Sequence, residues 1–446
     1  MSLSTNPYKG ARDFYPEDKR LQKYLFSVMR RVAESYGYEE YDAPILEPTE
    51  LFLSKGNEEI INEQTYTFTD RGGRSVTMRT EMTPSVSRMV AGRRQELSYP
   101  LRWYSIPNMW RYERTQRGRL REFWQLNVDI FGVDSLAADL EIIQVADAIM
   151  RTYGAKPDMY KIRLNSRQLI DFMLKDYLHL NQTEAETLIR LIDRKDKMEP
   201  SAFAVQLEAV LSPAERDNGT AQRIMELLEA KSIADLPHDL RQHPSVLELQ
   251  ALAQMLQDTG ITNASFDITL MRGFDYYTGT VFEVFDTAPE NNRAMFGGGR
   301  YDGLIGVFGV EPVPTVGFGM GDVTLQNFLE SHGLLPHLRT ETDLYAVLVG
   351  DNIFDKAQSI FASLRGQGVN LAIDTSGRKI DKQLKAADRK NIPFALFIGE
   401  SELASQQFKL KNLKTGEEST HGLDRIVSVV KDRRGRPLKN GEDLDL

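Results

Sequence analysis

Residues Trp103–Gly132 read WYSIPNMWRYERTQRGRLREFWQLNVDIFG. Two β-type runs flank the loop Thr115–Arg119. With side chains alternating at period two, Arg111 and Glu113 share one face, and Gln125, Asn127 and Asp129 share one face of the returning strand. The residues between them, Leu126, Val128 and Ile130, are apolar. A sheet with an apolar back and a front row of charges and amides makes a poor core, because each buried ion needs a partner or a ligand. The front reads as a binding floor, and the competing reading is an amphipathic hairpin with a solvated outer face.

The 446 residues exceed what one core supports and predict two or three domains. With 41% hydrophobic and 27% charged residues the composition is that of an ordinary soluble protein. A net charge of −9 argues against wholesale coating of nucleic acid, while leaving room for a local basic surface. No apolar run reaches membrane-spanning length and the N-terminus lacks a signal-like apolar core, so no membrane association and a cytoplasmic location are expected. The chain has no cysteine, which removes disulfides, thiolate metal sites and a cysteine nucleophile.

Glu17–Tyr36 reads as an amphipathic helix, with Leu21, Leu25, Val28, Val32 and Tyr36 on one stripe and Gly37 as its stop. An extended piece, Tyr38–Glu47, follows and is broken by Pro44. Thr65–Phe68 and Ser75–Arg79 form a hairpin around Gly72 and Gly73, and Thr83 with Pro84 starts a helix, Thr83 as its N-cap. From about 165 to 257 the periodicity turns helical, which predicts an insertion. Strand-like alternation returns at Phe266–Leu270, at Thr278–Phe285, in FGGGRYDGL, and at Pro314–Gly321 before a helix near Asp322. The expected division is a first, sheet-based domain over 1–335, a linker over 336–342 and a second domain over 343–446.

In that second domain, strands Leu344–Val349, Val369–Ile373 and Phe394–Ile398 alternate with helices Ile353–Leu364 and Arg378–Lys390, predicting a small α/β unit with a largely parallel sheet. The second helix carries Arg378, Lys379, Lys382, Lys385, Arg389 and Lys390 against Asp381 and Asp388. That face fits either a solvated helix or phosphate binding.

The chain contains no Gly-Lys dipeptide and hence no Walker-type phosphate loop. Neither GGGRYDG nor GFGMGD has dinucleotide-fold spacing. The six histidines, His179, His238, His243, His332, His337 and His421, form no metal-ligand spacing, so no metal site is expected from them. What remains is an antiparallel floor fed by arginines, which suits polyphosphate.

Four stretches in order carry a family resemblance: KGARDFYP near the start, the arginine hairpin, LMRGFDYYTGTVFE at Leu270–Glu283, and GGGRYDGL at Gly297–Leu304. With them the chain resembles class II aminoacyl-tRNA synthetases, specifically the bacterial-type histidyl-tRNA synthetases, over nearly its whole length. The tail, with DRKNIPFALFIGESEL, looks like that family's anticodon-binding domain. The resemblance implies an α+β fold: an antiparallel catalytic sheet with a helical insertion, plus a C-terminal α/β anticodon-binding domain. It also implies a histidine–tRNA ligase that activates L-histidine with ATP to the adenylate and passes it to the 3′ end of tRNA(His). A homodimer formed through the Glu17–Glu47 stretch belongs to the same expectation.

By the same resemblance Arg111 and Arg272 are the catalytic cations at the α-phosphate, and both also contact histidine. Glu81, Thr83 and Gln125 hold the substrate ammonium group, and Asp129, Tyr276 and Tyr277 line the imidazole pocket. A carboxylate with a phenol satisfies both edges of an imidazole. Arg111, Glu113 and Arg119 bind ATP, Glu113 at the adenine amino group and Arg119 at the outer phosphates or the acceptor end.

One departure stands out, because GFGMGDVTL places Thr324 where the family's third motif carries an arginine. The expectation is that Arg300, Mg²⁺ or both supply the missing charge. The departure also keeps alive an alternative, a synthetase-like paralogue without ligase activity that serves as a histidine-binding regulatory subunit.

Overall fold

The hairpin stretch appears as three strands in a computed structural model of the chain, which describes residues 3–53, 64–195, 198–271, 276–291 and 293–434. One compact unit comprises the residues up to Asp13 together with Leu25–Leu335; the other comprises Phe14–Tyr24 and the residues from Pro336 onward.

In the first unit the strands are β1 (Glu39–Glu40), β2 (Leu46–Pro48), β3 (Thr67–Thr69), β4 (Ser75–Met78), β5 (Leu101–Ser105), β6 (Asn108–Trp110), β7 (Glu122–Phe131), β8 (Tyr160–Ser166), β9 (Ala264–Phe266), β10 (Thr280–Asp286), β11 (Ala294–Arg300) and β12 (Thr315–Gly321). The large sheet has the order β1-β5-β7-β12-β11-β10-β8-β9, with β6 also pairing with β7. The pairs from β5 to β8 are antiparallel, while β1 joins β5 and β9 joins β8 in parallel. β2, β4 and β3 form a separate three-stranded sheet that contains the expected Gly72–Gly73 hairpin.

The back of the large sheet is apolar as the alternation requires, since Leu126, Val128 and Ile130 are buried. Helix Leu136–Thr152 adds Ile142, Ile143, Val145, Ala146, Ile149 and Met150 to the buried residues. Between β8 and β9 the chain runs through helices from Arg167 to Asp258, including a π-helical turn at Phe172–Tyr177.

Several local expectations shift. The helix begins at Thr83 itself, behind a buried Met82 that already has helical backbone angles, and no side chain caps it. The strand expected at Phe266–Leu270 ends at Phe266, because the Asp267 carboxylate accepts hydrogen bonds from the Thr269 backbone (2.9 Å) and hydroxyl (2.6 Å) and closes a turn.

The second unit has strands β13 (Leu344–Val349), β14 (Leu371–Ile373), β15 (Phe394–Gly399), β16 (Phe408–Asn412) and β17 (Glu418–His421) in the order β14-β13-β15-β16-β17. The three strands expected from sequence pair in parallel; β16 and β17 add two antiparallel strands on the β15 side, so the sheet is mixed. Its basic helix spans Ile380–Arg389 and packs through Ile380, Leu384 and Ala387.

Candidate active site

Register places the polar row of β7 against glycines. Asp129 lies opposite Gly317 and then Gly299, and Asn127 lies opposite Gly319 and then Gly297. A Cβ on Gly317 would sit 2.0 Å from the Asp129 carboxylate oxygen, and one on Gly319 would sit 2.9 Å from the Gln125 amide carbon. The long side chains of β7 therefore lie across their neighbours instead of standing up from the sheet. The glycines make the floor's depth.

Asp129 is 4% exposed, and one of its carboxylate oxygens accepts a hydrogen bond from the Tyr301 hydroxyl at 2.5 Å. Tyr301 touches Tyr276, their rings 5.6 Å apart, and Tyr276 touches Tyr277 at 5.0 Å. The Tyr276 hydroxyl donates to Glu81 at 3.1 Å, and Glu81 is 5% exposed. Burial pushes the Asp129 carboxyl up to about 7, with the Tyr301 hydrogen bond pulling the other way. Burial likewise pushes Glu81 up to about 7, against the nearby Arg111 charge and the Tyr276 hydrogen bond. Among the described residues neither carboxylate forms an ion pair. Two buried acids joined to phenols form a cluster that would reward a ligand carrying positive charge and N–H donors.

Arg111 lies just past β6. Its Nε donates to the Thr80 carbonyl at 2.9 Å, and its guanidinium sits 5.4 Å from the centre of the Phe123 ring. Glu113 stands between two cations, 3.9 Å from Arg111 and 3.7 Å from Arg119. Thr83 is half-buried at the start of its helix. The structure thus groups Glu81, Asp129, Tyr276 and Tyr277 in one buried cluster linked through Tyr301, with Arg111, Glu113 and Arg119 at the hairpin loop. Arg272 falls outside the described residues.

In GGGRYDGL the expectation for Arg300 fails and a neighbouring residue joins the site. Arg300 pairs across β11 and β12 with Val316, which in turn pairs with Ile130, so its row belongs to the apolar back. There it meets the buried Asp139 carboxylate and donates to the carbonyls of Val133 and Ser135, each at 3.1 Å. Arg300 therefore cannot replace a phosphate-binding arginine at Thr324. Tyr301, given no role by the sequence analysis, serves the floor instead. Continuing the alternation of Gly297 and Gly299 assigns Tyr301 to the front and Arg300 to the back, so the signal was present.

The opening stretch KGARDFYP buttresses the site. Arg12 pairs with Asp322 at 2.7 Å, and the other Asp322 oxygen accepts the Trp124 backbone N–H at 2.9 Å, which ties the helix Asp322–Ser331 to β7.

A family model described as histidyl-tRNA synthetase matches residues 10–323, and one described as anticodon binding domain matches residues 343–433. The histidine–tRNA ligase of Leptospira biflexa is 41% identical over 438 residues, covering 97% of this chain and 98% of that protein. That of Thermoplasma volcanium is 37% identical, covering 95% and 97%. Among solved structures, the histidyl-tRNA synthetase of Nostoc sp. PCC 7120 superposes with a TM-score of 0.80 at 26% identity, covering 97% of this chain and 100% of that one. The antiparallel sheet, the carboxylate–phenol pocket and both family matches lead to one statement: the chain belongs to the histidyl-tRNA synthetase family.

Proposed function

We propose that this chain is a histidine–tRNA ligase whose histidine pocket is the Asp129–Tyr301–Tyr276–Glu81 cluster. The observation that carries this reading is the pair of buried carboxylates held by one phenol hydroxyl each and by no ion pair among the described residues. An imidazole N–H and an ammonium group each supply donors that such acceptors need. Asp129 takes the imidazole N–H, with Tyr276 and Tyr277 as walls. Glu81, Thr83 and Gln125 take the ammonium.

In the activation step a histidine carboxylate oxygen attacks the α-phosphorus of ATP, forms the P–O bond of the adenylate, and pyrophosphate leaves with the electrons of the broken bond. Negative charge grows on the non-bridging oxygens, where fixed guanidinium donors stabilise it. Arg111 supplies one such group beside the pocket, and Arg272 supplies the other by family resemblance. Glu113, steered by Arg111 and Arg119, reads the adenine amino group, and Arg119 meets the outer phosphates or the acceptor end.

Among the described residues no group of three or more histidines and acids is arranged to hold a metal ion. ATP enters as its Mg²⁺ complex, a substrate whose ion rides on the phosphates.

Residues 1–335 carry this chemistry with the insertion over 165–257, 336–342 serve as linker, and 343–446 read the tRNA. Lys379, Lys382, Lys385, Arg389 and Lys390 are exposed along the basic helix and supply its phosphate contacts. Arg378 is committed to the buried Asp374 at 2.6 Å and contributes to the fold instead. The working form is a cytoplasmic homodimer joined through Glu17–Glu47. ATP–pyrophosphate exchange with a panel of amino acids, followed by charging of tRNA(His), tests the reading; exchange that depends on an amino acid other than histidine rejects it.

A further inference from the structure

The third-motif position is Thr324, whose hydroxyl donates to the Met295 carbonyl at 2.8 Å and lies 3.2 Å from that of Gly321. It brings no charge, and its hydroxyl is committed to backbone. Arg300 is committed on the other face of the sheet. Arg293 is placed differently. It stands just ahead of β11 and reaches the hairpin loop, where its Nη1 donates to the Arg117 carbonyl. A Cβ built on Gly118, whose φ is +80°, would lie 3.2 Å from Arg293 Nη1, 3.6 Å from Thr324 Cγ2 and 3.7 Å from Asn327 Nδ2. The guanidinium therefore sits beside Thr324, beneath the loop that also carries Arg119.

We propose that Arg293 supplies the ATP-phosphate cation that Thr324 cannot, reaching the site from just ahead of the glycine strand β11 instead of from the helix after β12. This inference rests on the ligase reading above. A guanidinium has five N–H donors, and the Arg117 carbonyl engages one nitrogen. Among the described residues no carboxylate lies within ion-pair distance of Arg293. The positive charge stands beside a loop that also carries Arg114, Arg117 and Arg121 and, at its two sides, Arg111, Glu113 and Arg119, the residues assigned to ATP. Gly118 keeps the approach open, because any side chain there would press on the guanidinium.

A purely mechanical role, propping the loop through the Arg117 carbonyl, makes different demands. An amide donor would serve a strut, and a phosphate needs charge. The test is histidine-dependent ATP–pyrophosphate exchange by the full chain carrying Arg293→Ala, Arg293→Gln, Arg293→Lys, or Arg293→Ala with Thr324→Arg, each checked for wild-type thermal stability. Loss of a charge-assisted contact should raise the KM for ATP roughly 10- to 100-fold in the Ala and Gln variants, with the KM for histidine held within about twofold. Arg293→Lys should retain part of the affinity, and Thr324→Arg should recover part of it in the Ala background. Wild-type ATP affinity in Arg293→Gln would leave only a strut and overturn the assignment. An equal rise in both KM values would also overturn it, since the loop as a whole would have been disturbed. Exchange by the wild type with an unaffected Arg293→Ala removes this assignment alone. No exchange by the wild type removes the ligase reading and this assignment with it.

Discussion

The large sheet buries charge on both faces and treats it in opposite ways. On the back, Arg300 and Asp139 neutralise each other, and two carbonyls take further guanidinium hydrogens. On the front, Asp129 and Glu81 are equally buried yet meet tyrosine hydroxyls. A buried charge with its counter-ion in place belongs to the fold, whereas a buried acid held by phenols awaits a cationic ligand. The same physics thus separates the two faces at consecutive residues, Gly299 and Tyr301 belonging to the front and Arg300 to the back.

The largest effect expected from this contrast is on the back. Arg300→Ala leaves Asp139 buried and alone and should cost about 3–5 kcal/mol of stability, whereas Arg300→Met with Asp139→Leu should be close to neutral. Denaturant unfolding measures both; a mild Arg300→Ala would blur the contrast.

On the front the costs fall on substrate. Asp129→Asn removes the charge-assisted acceptor and should lower kcat/KM for histidine by about 2–3 kcal/mol, roughly 30- to 150-fold, while stability stays level or rises. Loss of folding in Asp129→Asn would place this carboxylate with the structural ions instead.

A smaller effect is its pH dependence. Both front carboxyls are raised to about 7 in the folded protein, from about 4 when unfolded. A raised folded value favours the protonated acid, so this contribution to stability is full below about 4 and is lost as pH rises through about 7. The histidine-free protein should therefore lose stability between about pH 4 and 7 more steeply than Asp129→Asn does. Over that window histidine binding should tighten as Asp129 and Glu81 ionise. Thermal melts at both pH values, with and without histidine, give the comparison, and parallel curves for the two proteins would argue against raised carboxyls.

The smallest effect expected lies on the basic helix of the second unit, where the charges are solvated. Lys382→Ala with Lys385→Ala should reduce the salt dependence of tRNA binding by about one to two in log–log slope and leave pyrophosphate exchange untouched. An unchanged slope would mean that this face is merely solvated.

The period-two pattern of Gln125–Ile130 gave the sheet's two faces directly, and the glycine strand, the helix after Gly321 and the alternation from Leu344 to Gly399 were legible in the same way. Less legible was the use made of each charge. Arg300 and Asp139 are 161 residues apart, so no local pattern announces their pairing. Tyr301 was readable by extending the strand's alternation through GGGRYDGL. Arg293 was not, because its significance depends on a loop 176 residues away. The ends of β9 and of the helix at Thr83 shifted for local reasons, a side-chain turn at Asp267 and helical angles at Met82.

The central claim is that the paired front carboxylates form a histidine pocket serving ATP-dependent activation. It is tested most directly by ATP–pyrophosphate exchange of the wild type and Asp129→Asn across a panel of amino acids at saturating MgATP. The expected result is exchange that requires histidine and falls at least about tenfold in Asp129→Asn at low histidine. Exchange with no amino acid would contradict the account and favour the histidine-binding regulatory reading, and histidine-dependent exchange that ignores Asp129→Asn would move the pocket elsewhere.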